Sequence, residues 1–594
     1  MNSILKTILG AGLLATALGT PSITAQSDAQ GTPAGFPGLA ANRAPEVEIP
    51  WNRLRPYAEI LSDLDKLAAQ WPDFLTSEVI GHSVEGREMR VYTLNNPSTG
   101  SAESKPAMWV DGNVHGNEVQ GSEVVVYLAW YLMENYGSNE RVTELVDRSV
   151  MYLLPSQNPD GRDRWFREAN TASSSRTGNQ PTDNDRDGSF DEDMPNDLDG
   201  DGNIVQMRKY VPGKGTHRIS EDDDRVMERV PNDGKTPPGD YLIFRSEGFD
   251  DDGDGRINED DQGGYDMNRA WPSSWQPEHV QFGAGPYPLY WPETSSIARF
   301  ISTHANIAGA QSFHNSGGMI LRGPGAEVYG AYPRRDLTVY DELGQDGEKM
   351  LPFYNYMIIW RDLYSVFGGF VNWTYEGLGI ISFTNELWVG SRNSPDNRIP
   401  GGNEGRHWFD DHLLMSAGFV PWHEVEHPDL GTVEVGGFAK DVGRVPPTFL
   451  IEEMLHRNAL FCIRHAEEMA QVVIHEPEIS DLGNGLTAID VVFQNTKLIP
   501  TRTALAASKG MGVPDTLSIQ GEGIEVVVGG IRSDVMRPER MSFEEFTPAS
   551  IVREDGVGSR ERLMVRWIIR GRGEVTLAFT GEKAVDVSRT FSID

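Results

Sequence analysis

The chain predicts an α/β fold, a mixed sheet flanked by helices, joined to a C-terminal all-β domain of sandwich type. Three observations predict it. Strand and helix patterns alternate from residue 51 to about 170 and again from about 265 to 472, and such alternation stacks helices on a mixed or largely parallel sheet. Helical period vanishes after about 476, leaving short alternating apolar runs between turn signals, as in a β-sandwich. Finally, 594 residues exceed what one hydrophobic core fills.

The N-terminus, MNSILKTILGAGLLATALGTPSITAQS, places Lys6 before an apolar stretch from Ile8 to Leu18, then a polar region with Ala25 as a cleavage site. That is the layout of a secretory signal peptide over residues 1–25, its apolar part too short to span a membrane; the expected location is secreted or periplasmic. Residues 26–50, rich in Gly, Pro and Ala, read as a linker. In the domain expected over 51–472, YAEILSDLDKLAAQW has helical period, and MRVYTL and AMWVDGN read as strands. EVQGSEVVVYLAWYLMENYG is a long helix and SVMYLLPSQNP a buried strand. An acidic insertion over 171–263 breaks the pattern, which resumes and ends with a helix near 447–472. In the last domain, 476–594, LTAIDVVFQN, GIEVVVGGI, RLMVRWIIRG and GEVTLAFTG are the strands.

Composition limits the partners. A formal net charge of −36 argues against nucleic acid and against an anionic membrane surface. It fits a secreted protein, a salty milieu or calcium binding. No second run of 18 apolar residues exists, so no membrane span is expected. The single cysteine, Cys462, sits in the helical pattern FLIEEMLHRNALFCIRHAEEM and reads as core. With one thiol, neither an intrachain disulfide nor a thiolate zinc site can form.

The insertion points to calcium. DDDGDGRINEDD supplies oxygens at Asp250, Asp252, Asp254, Asn258 and Asp261, with Gly255 at the sixth position of a twelve-residue loop. A hard cation needs such a wrap of oxygens around a tight glycine turn. DNDRDGSFDED from Asp183 and DLDGDGNI from Asp197 are weaker copies, because the twelfth positions are Met194 and Arg208. The expected role is to staple a long insertion, since so many like charges repel without a cation.

VDGNVHGNEVQG, residues 110–121, sets His115 and Glu118 three apart at the mouth of a helix. Side chains at that spacing can point at one ion. His-x-x-Glu nevertheless occurs five times, from His82, His115, His423, His465 and His475, so spacing alone cannot choose. A catalytic zinc needs a third ligand and an open fourth position. NIAGAQSFHNSGG offers His314, where an apolar run stops and turns. HEVEH, residues 423–427, satisfies another zinc-protease pattern, which works only on a long helix. Pro421 and Pro428 flank it and predict a loop or a single turn. There is no Gly-x-Ser-x-Gly elbow and no phosphate loop.

YSVFGGFVNWTYEGLGIISFTNELW, Tyr364 to Trp388, resembles the zinc carboxypeptidases of the carboxypeptidase A type. Tyr364, Gly368-Gly369, Trp373 to Tyr375 and Ser382 to Leu387 fall at the family's offsets. The other stations appear in order: HGNE in the form of the regulatory branch, Asn158-Pro159-Asp160-Gly161 before RWFRE, MNRAW, and His314. The resemblance covers about 51–472 and implies a metallocarboxypeptidase acting on peptide or protein C-termini. It implies one catalytic zinc on His115, Glu118 and His314, with Glu386 as general base and Arg167 as the oxyanion arginine. It assigns Asn268 and Arg269 to the substrate carboxylate and Tyr364 to closing over the substrate. Val371 aligns with a pocket position that is often acidic in members preferring basic residues, so an apolar or neutral side chain is expected. Two alternatives stay open: a peptidoglycan stem-peptide hydrolase using the same zinc site, and a non-catalytic calcium-dependent binding protein.

Overall fold

A computed structural model describes residues 44–390, 402–532, 537 and 540–593. The signal peptide expected over 1–25 and most of the linker lie outside the described residues. The end of that linker packs on the domain: Ile49 is buried, and the Val47 carbonyl accepts from Trp130 Nε1 at 3.0 Å.

The first domain is built on an eight-stranded sheet. Its strands are β1 (Leu75–His82), β2 (Glu88–Leu94), β3 (Ala107–Gly112), β4 (Val150–Leu154), β5 (Ile307–Asn315), β6 (Met319–Arg322), β7 (Asn355–Ile358) and β8 (Ile381–Leu387). Their order across the sheet is β1-β2-β4-β3-β5-β8-β6-β7. The centre, β4-β3-β5-β8, is parallel, while β1-β2, β2-β4 and β6-β8 are antiparallel. The expected mixed sheet is therefore present. β3, β4 and β5 are buried along their whole length, as the continuous apolar runs of a sheet covered on both faces require.

Helices α1 (Tyr57–Gln70), α2 (Gln120–Asn135), α3 (Glu140–Arg148), α4 (Pro159–Arg167), α5 (Pro292–Thr303), α6 (Arg334–Met350), α7 (Phe370–Leu378), α8 (Gly402–Leu413) and α9 (Thr448–Glu467) surround it. α2 is buried nearly all round because it runs between the sheet and α1 and α9. Its entry is pinned by a buried ionic knot. Glu123, in its first turn, accepts from Arg55 Nε at 2.8 Å and from Arg162 Nη2 at 2.9 Å, with all three side chains fully buried. Cys462 lies buried in α9, where desolvation pushes its thiol up, as a core residue should behave.

The acidic insertion is a small β structure. Its strands Gln206–Gly215, His217–Ile219, Met227–Arg229 and Gly239–Phe244 join Phe419–His427 and Gly431–Phe438 in a second, six-stranded sheet. HEVEH thus lies on a strand, where the expectation was a loop or a single turn. In a strand, residues 423 and 427 stand about 13 Å apart along one face. His423 Nε2 instead meets Asp199 Oδ2 at 2.7 Å, and His427 Nε2 meets the Gly248 carbonyl at 2.9 Å.

The C-terminal domain consists of two antiparallel sheets. LTAIDVVFQN, RLMVRWIIRG and GIEVVVGGI pair within one as Leu486–Asn495, Arg562–Gly571 and Ile524–Arg532, while Gly573–Thr580 lies in the other. Phe493 and Trp567 from the first sheet share one core with Leu517 and Phe579 from the second. No helix among the described residues is long and apolar enough to cross a membrane.

Candidate active site

The site forms where β3, β5 and β8 end. β3 stops at Gly112, because the chain must turn at once into α2. A Cβ on Gly112 would lie 2.5 Å from the Gly121 carbonyl carbon, so only glycine lets the helix start this close to the strand end. That approach places the HGNE turn over the C-terminal edge of the sheet, the usual location of sites in open α/β folds. β5 ends at His314 and Asn315, and β8 sets Glu386 opposite His314 in the parallel register.

Three donor groups converge. His115 Nδ1 lies 2.9 Å from Glu118 Oε1, and His314 Nδ1 lies 3.0 Å from Glu118 Oε2. All three residues are buried. Bonds of 2.0–2.1 Å in a tetrahedron give edges of about 3.3 Å, so these spacings suit one zinc ion. His115 Nδ1 finds no hydrogen-bond partner although it is buried, as a ligand atom waiting for a metal would be. Burial alone would push the Glu118 carboxyl up. The charges of His115 and His314 outweigh it and hold Glu118 well below the usual range. Of the other His-x-x-Glu pairs, His82 is exposed and His465 is buried without a partner in α9.

Asp266 is the hub behind the ligands. Its Oδ1 meets His115 Nε2 at 3.0 Å and accepts from the Asn268 amide at 2.8 Å, while Oδ2 accepts from Arg176 Nη2 at 3.1 Å. A carboxylate on the far nitrogen orients a ligating imidazole and raises its basicity. Burial works against the charge of Asp266, but Arg269, His115 and Arg176 together hold its carboxyl well below the usual range.

A cleft of about 310 Å³ opens from these ligands, and Arg176, Asn268, Arg269, Tyr364, Val371 and Glu386 line it. Asn268 Oδ1 accepts from the Phe370 amide at 2.8 Å, tying the Met267–Arg269 turn to α7. Gly368 is required there, with φ 64° and a virtual Cβ only 2.2 Å from the Arg269 carbonyl oxygen. Tyr364 is exposed at the rim. The carboxyl of Glu386 is pushed up to about 7, by burial first and then by the negative charge of Glu118.

The zinc carboxypeptidase family profile matches residues 60–210 and 241–405, more than half of the chain. The chain belongs to the zinc carboxypeptidase family. Residues 471–592 match a domain of unknown function. Human carboxypeptidase D is 36% identical over 101 residues, which are 17% of this chain and 7% of that protein. Human carboxypeptidase Z is 34% identical over 129 residues, covering 21% of this chain and 20% of that one. The match thus spans a fifth or less of either relative's length. A carboxypeptidase A structure from Helicoverpa armigera superposes with a TM-score of 0.43 and 17% identity, covering 71% of this chain and 74% of its own.

Within this zinc carboxypeptidase fold, Arg167 is not brought to the cleft. It is exposed at the C-terminal end of α4 and is not among the residues that line the cleft. Arg176 stands in the cleft instead, donating from Nη1 to Glu118 Oε1 at 3.1 Å. Arg444 joins it, with Nη2 on the Asn315 carbonyl at 3.0 Å. Sequence reading missed Arg176, Asp266 and Arg444. The signal for Asp266 was its place two residues before Asn268. Arg176 sits in SSSRTGN, inside the boundary drawn for the insertion, and Arg444 comes from the turn between the strand Gly431–Phe438 and α9. Among the expected calcium ligands, Asp252 shares one carboxylate group with Asp250 and another with Asp254. Asn258, with φ 61°, is held through its Nδ2, which donates to the Ser246 and Glu247 carbonyls at 3.2 Å, while its Oδ1 is buried without a hydrogen-bond partner. Asp261 turns toward Arg164, with Oδ1 3.8 Å from Nη2.

Proposed function

We propose that this protein is a zinc-dependent carboxypeptidase that hydrolyses the C-terminal bond of peptides or proteins. The observation that carries the reading is the buried His115–Glu118–His314 set, with Glu386 beside it and the Asn268–Arg269 turn across the cleft. A zinc ion held by that set would supply an acidified water and polarise the scissile carbonyl. Glu386 takes the proton from the attacking water and returns it to the leaving amine, a task suited to a carboxyl poised near neutrality. Arg176 takes the oxyanion role first assigned to Arg167, because its guanidinium lies beside Glu118 at the site where charge develops. Such a contact is commonly worth about 3 kcal/mol. Arg269 presents a planar fork to the substrate carboxylate, with the Asn268 amide beside it. Tyr364, at the rim, closes over bound substrate.

Substrate preference follows from the far wall. Val371, Met319, Leu321, Ile359 and Val366 line it, and the acids of the cleft, Glu118 and Glu386, belong to the reaction centre. This favours an apolar or neutral C-terminal residue. The signal-peptide pattern supports a secreted or periplasmic location. Peptidoglycan stem peptides remain the second substrate class, because they too end in a free carboxylate beside a small side chain.

The test is release of C-terminal residues from a free-acid peptide set and its amidated counterparts, with and without a zinc chelator. Chelator-sensitive release from free acids alone is expected, fastest for apolar ends. Cleavage of amidated peptides would remove the role given to Arg269. Zinc binding without any turnover, on peptides or on stem peptides, would favour the binding-protein alternative.

A further inference from the structure

We infer that loops 183–193 and 250–260 form one paired site for two calcium ions, in which each loop lends its last aspartate to the other's ion. The two loops have the same pattern: Asp at positions one, three and five, Gly at six, Glu at ten and Asp at eleven. An antiparallel bridge between the eleventh residues, Asp193 and Asp260, holds them face to face. The carboxylates then group reciprocally. Ligand oxygens of Asp250 and Asp252 lie within 4.8 Å of Asp193 from the other loop, and those of Asp183 and Asp185 within 4.8 Å of Asp260. Glu192 closes on Asp185 and Asp187, and Glu259 on Asp252 and Asp254, within the same limit.

The decisive side chain is Asp193. It is fully buried, and one of its carboxylate oxygens lies within 4.8 Å of Asp250 and Asp252. Its Oδ2 accepts from the Asn258 amide at 3.2 Å, whereas Oδ1 has no hydrogen-bond partner. Both carboxylate oxygens of Glu192 and of Glu259 are likewise shut off from solvent without a partner. Glu259 lies against Asp193, and Glu192 against Asp260. Carboxylates packed against each other and away from water need a shared proton or a cation between them. Arg256 stays largely exposed beside this cluster, donating from Nε to Asp254 Oδ2 at 2.8 Å and placing Nη2 3.8 Å from Asp185 Oδ2. Two loops offering mono- and bidentate oxygens in an adaptable cage suit calcium, which takes six to eight oxygens at about 2.3–2.6 Å. Magnesium, holding to a tight octahedron with its own waters, suits it poorly. The tenth-position glutamates, Glu192 and Glu259, add a further carboxylate to each loop's group.

The position of the pair gives it a consequence. One loop begins seven residues after Arg176 and the other ends six residues before Asp266, the two partners of the ion pair that frames the cleft. Bound calcium therefore ties together the roots of both cleft residues.

Full-length protein is passed over a chelating resin, reloaded with one equivalent of zinc, and dialysed at pH 7 against radioactive calcium. Wild type is expected to bind at least two calcium ions, and the Glu192→Gln/Glu259→Gln variant two fewer. Calcium, but not equimolar magnesium, raises the wild-type Tm and leaves that of the variant unchanged. Should the double variant not fold, Asp193→Asn is expected to bind one ion at least tenfold more weakly. Binding of fewer than two ions by wild type, which is the shared-proton outcome, overturns the inference. So does equal binding by wild type and variants. The readout involves no turnover, so its failure leaves the carboxypeptidase reading standing.

Discussion

At the scale of single residues, the cleft separates groups that act on protons from groups that act on charge. Glu386 stands on β8, one strand over from His314, and is outside the His115–Glu118–His314 group. Glu386→Gln should therefore keep zinc at one equivalent while lowering kcat by about 10²–10⁴-fold, the usual weight of a positioned acid–base group; elemental analysis with steady-state kinetics reads both. Loss of zinc in that variant would place Glu386 among the ligands. The arginines divide as clearly. Arg176→Ala should lower kcat by about 10²–10³-fold, whereas Arg167→Ala, at an exposed helix end, should change neither kcat nor KM measurably. Equal losses in both would reject the assignment. His115, Glu118, His314, Asn268, Arg269 and Glu386 were legible because each stands at a strand end or in a turn of an ordered motif series. Arg176 was not. It reaches the cleft only because the insertion folds back on the domain and lets Asp266 draw its guanidinium in at 3.1 Å, a tertiary closure that no local spacing records.

At the scale of elements, period and burial were readable and pairing partners were not. The runs read as β2, β3, β4, α1 and α2 appear where their apolar period put them. The insertion, however, showed no strand pattern because its strands carry few apolar residues. They are strands because Gly431–Phe438 extends a ladder to Gln206–Gly215 from more than 200 residues away. The same pairing made HEVEH a strand. α9 offers a test of how far its burial goes. His465 is fully buried under β5 and β8, with neither ring nitrogen hydrogen-bonded, and desolvation pushes it down to about 3. An unfolded histidine titrates near 6.5. The unfolded chain thus binds a proton that the native chain refuses, so this contribution to stability is whole above pH 6.5. It is lost as pH falls from 6.5 toward 3, by about 1.4 kcal/mol for each unit. Denaturant titrations between pH 7 and 5 should show that slope, and His465→Leu should flatten it by one proton. An unchanged slope in the variant would mean that His465 is charged in the fold.

At the scale of the molecule, the C-terminal domain is a brace for the cleft wall. Two sheets were legible there from alternation alone, but not where the domain docks. The short helix Ala504–Lys509 leaves its first amides unpaired, and Asp336 of α6 accepts them, from Ala504 at 2.8 Å and Leu505 at 2.9 Å, while also accepting from Tyr375 at 2.7 Å. Lys509 Nζ donates to the Glu376 carbonyl at 2.9 Å, and Lys583 Nζ to the Leu378 carbonyl at 3.2 Å. The two lysine contacts fall on the last turn of α7, satisfying carbonyls that a helix end leaves open. The first turn of the same helix carries Phe370 and Val371 into the cleft. Asp336→Ala would strand two backbone amides and the Tyr375 hydroxyl, at a cost of about 1–3 kcal/mol for each buried group left without a partner. Calorimetry should then resolve the β domain as a transition at lower temperature than in wild type. Because α7 brings Phe370 and Val371 to the cleft wall to which specificity is proposed, and none of the groups proposed to react, KM for peptides ending in apolar residues should rise while kcat changes little. A fall in kcat with KM unchanged would show instead that the brace acts on the reaction centre, through β8 and Glu386, and that the domain positions the base more than the pocket.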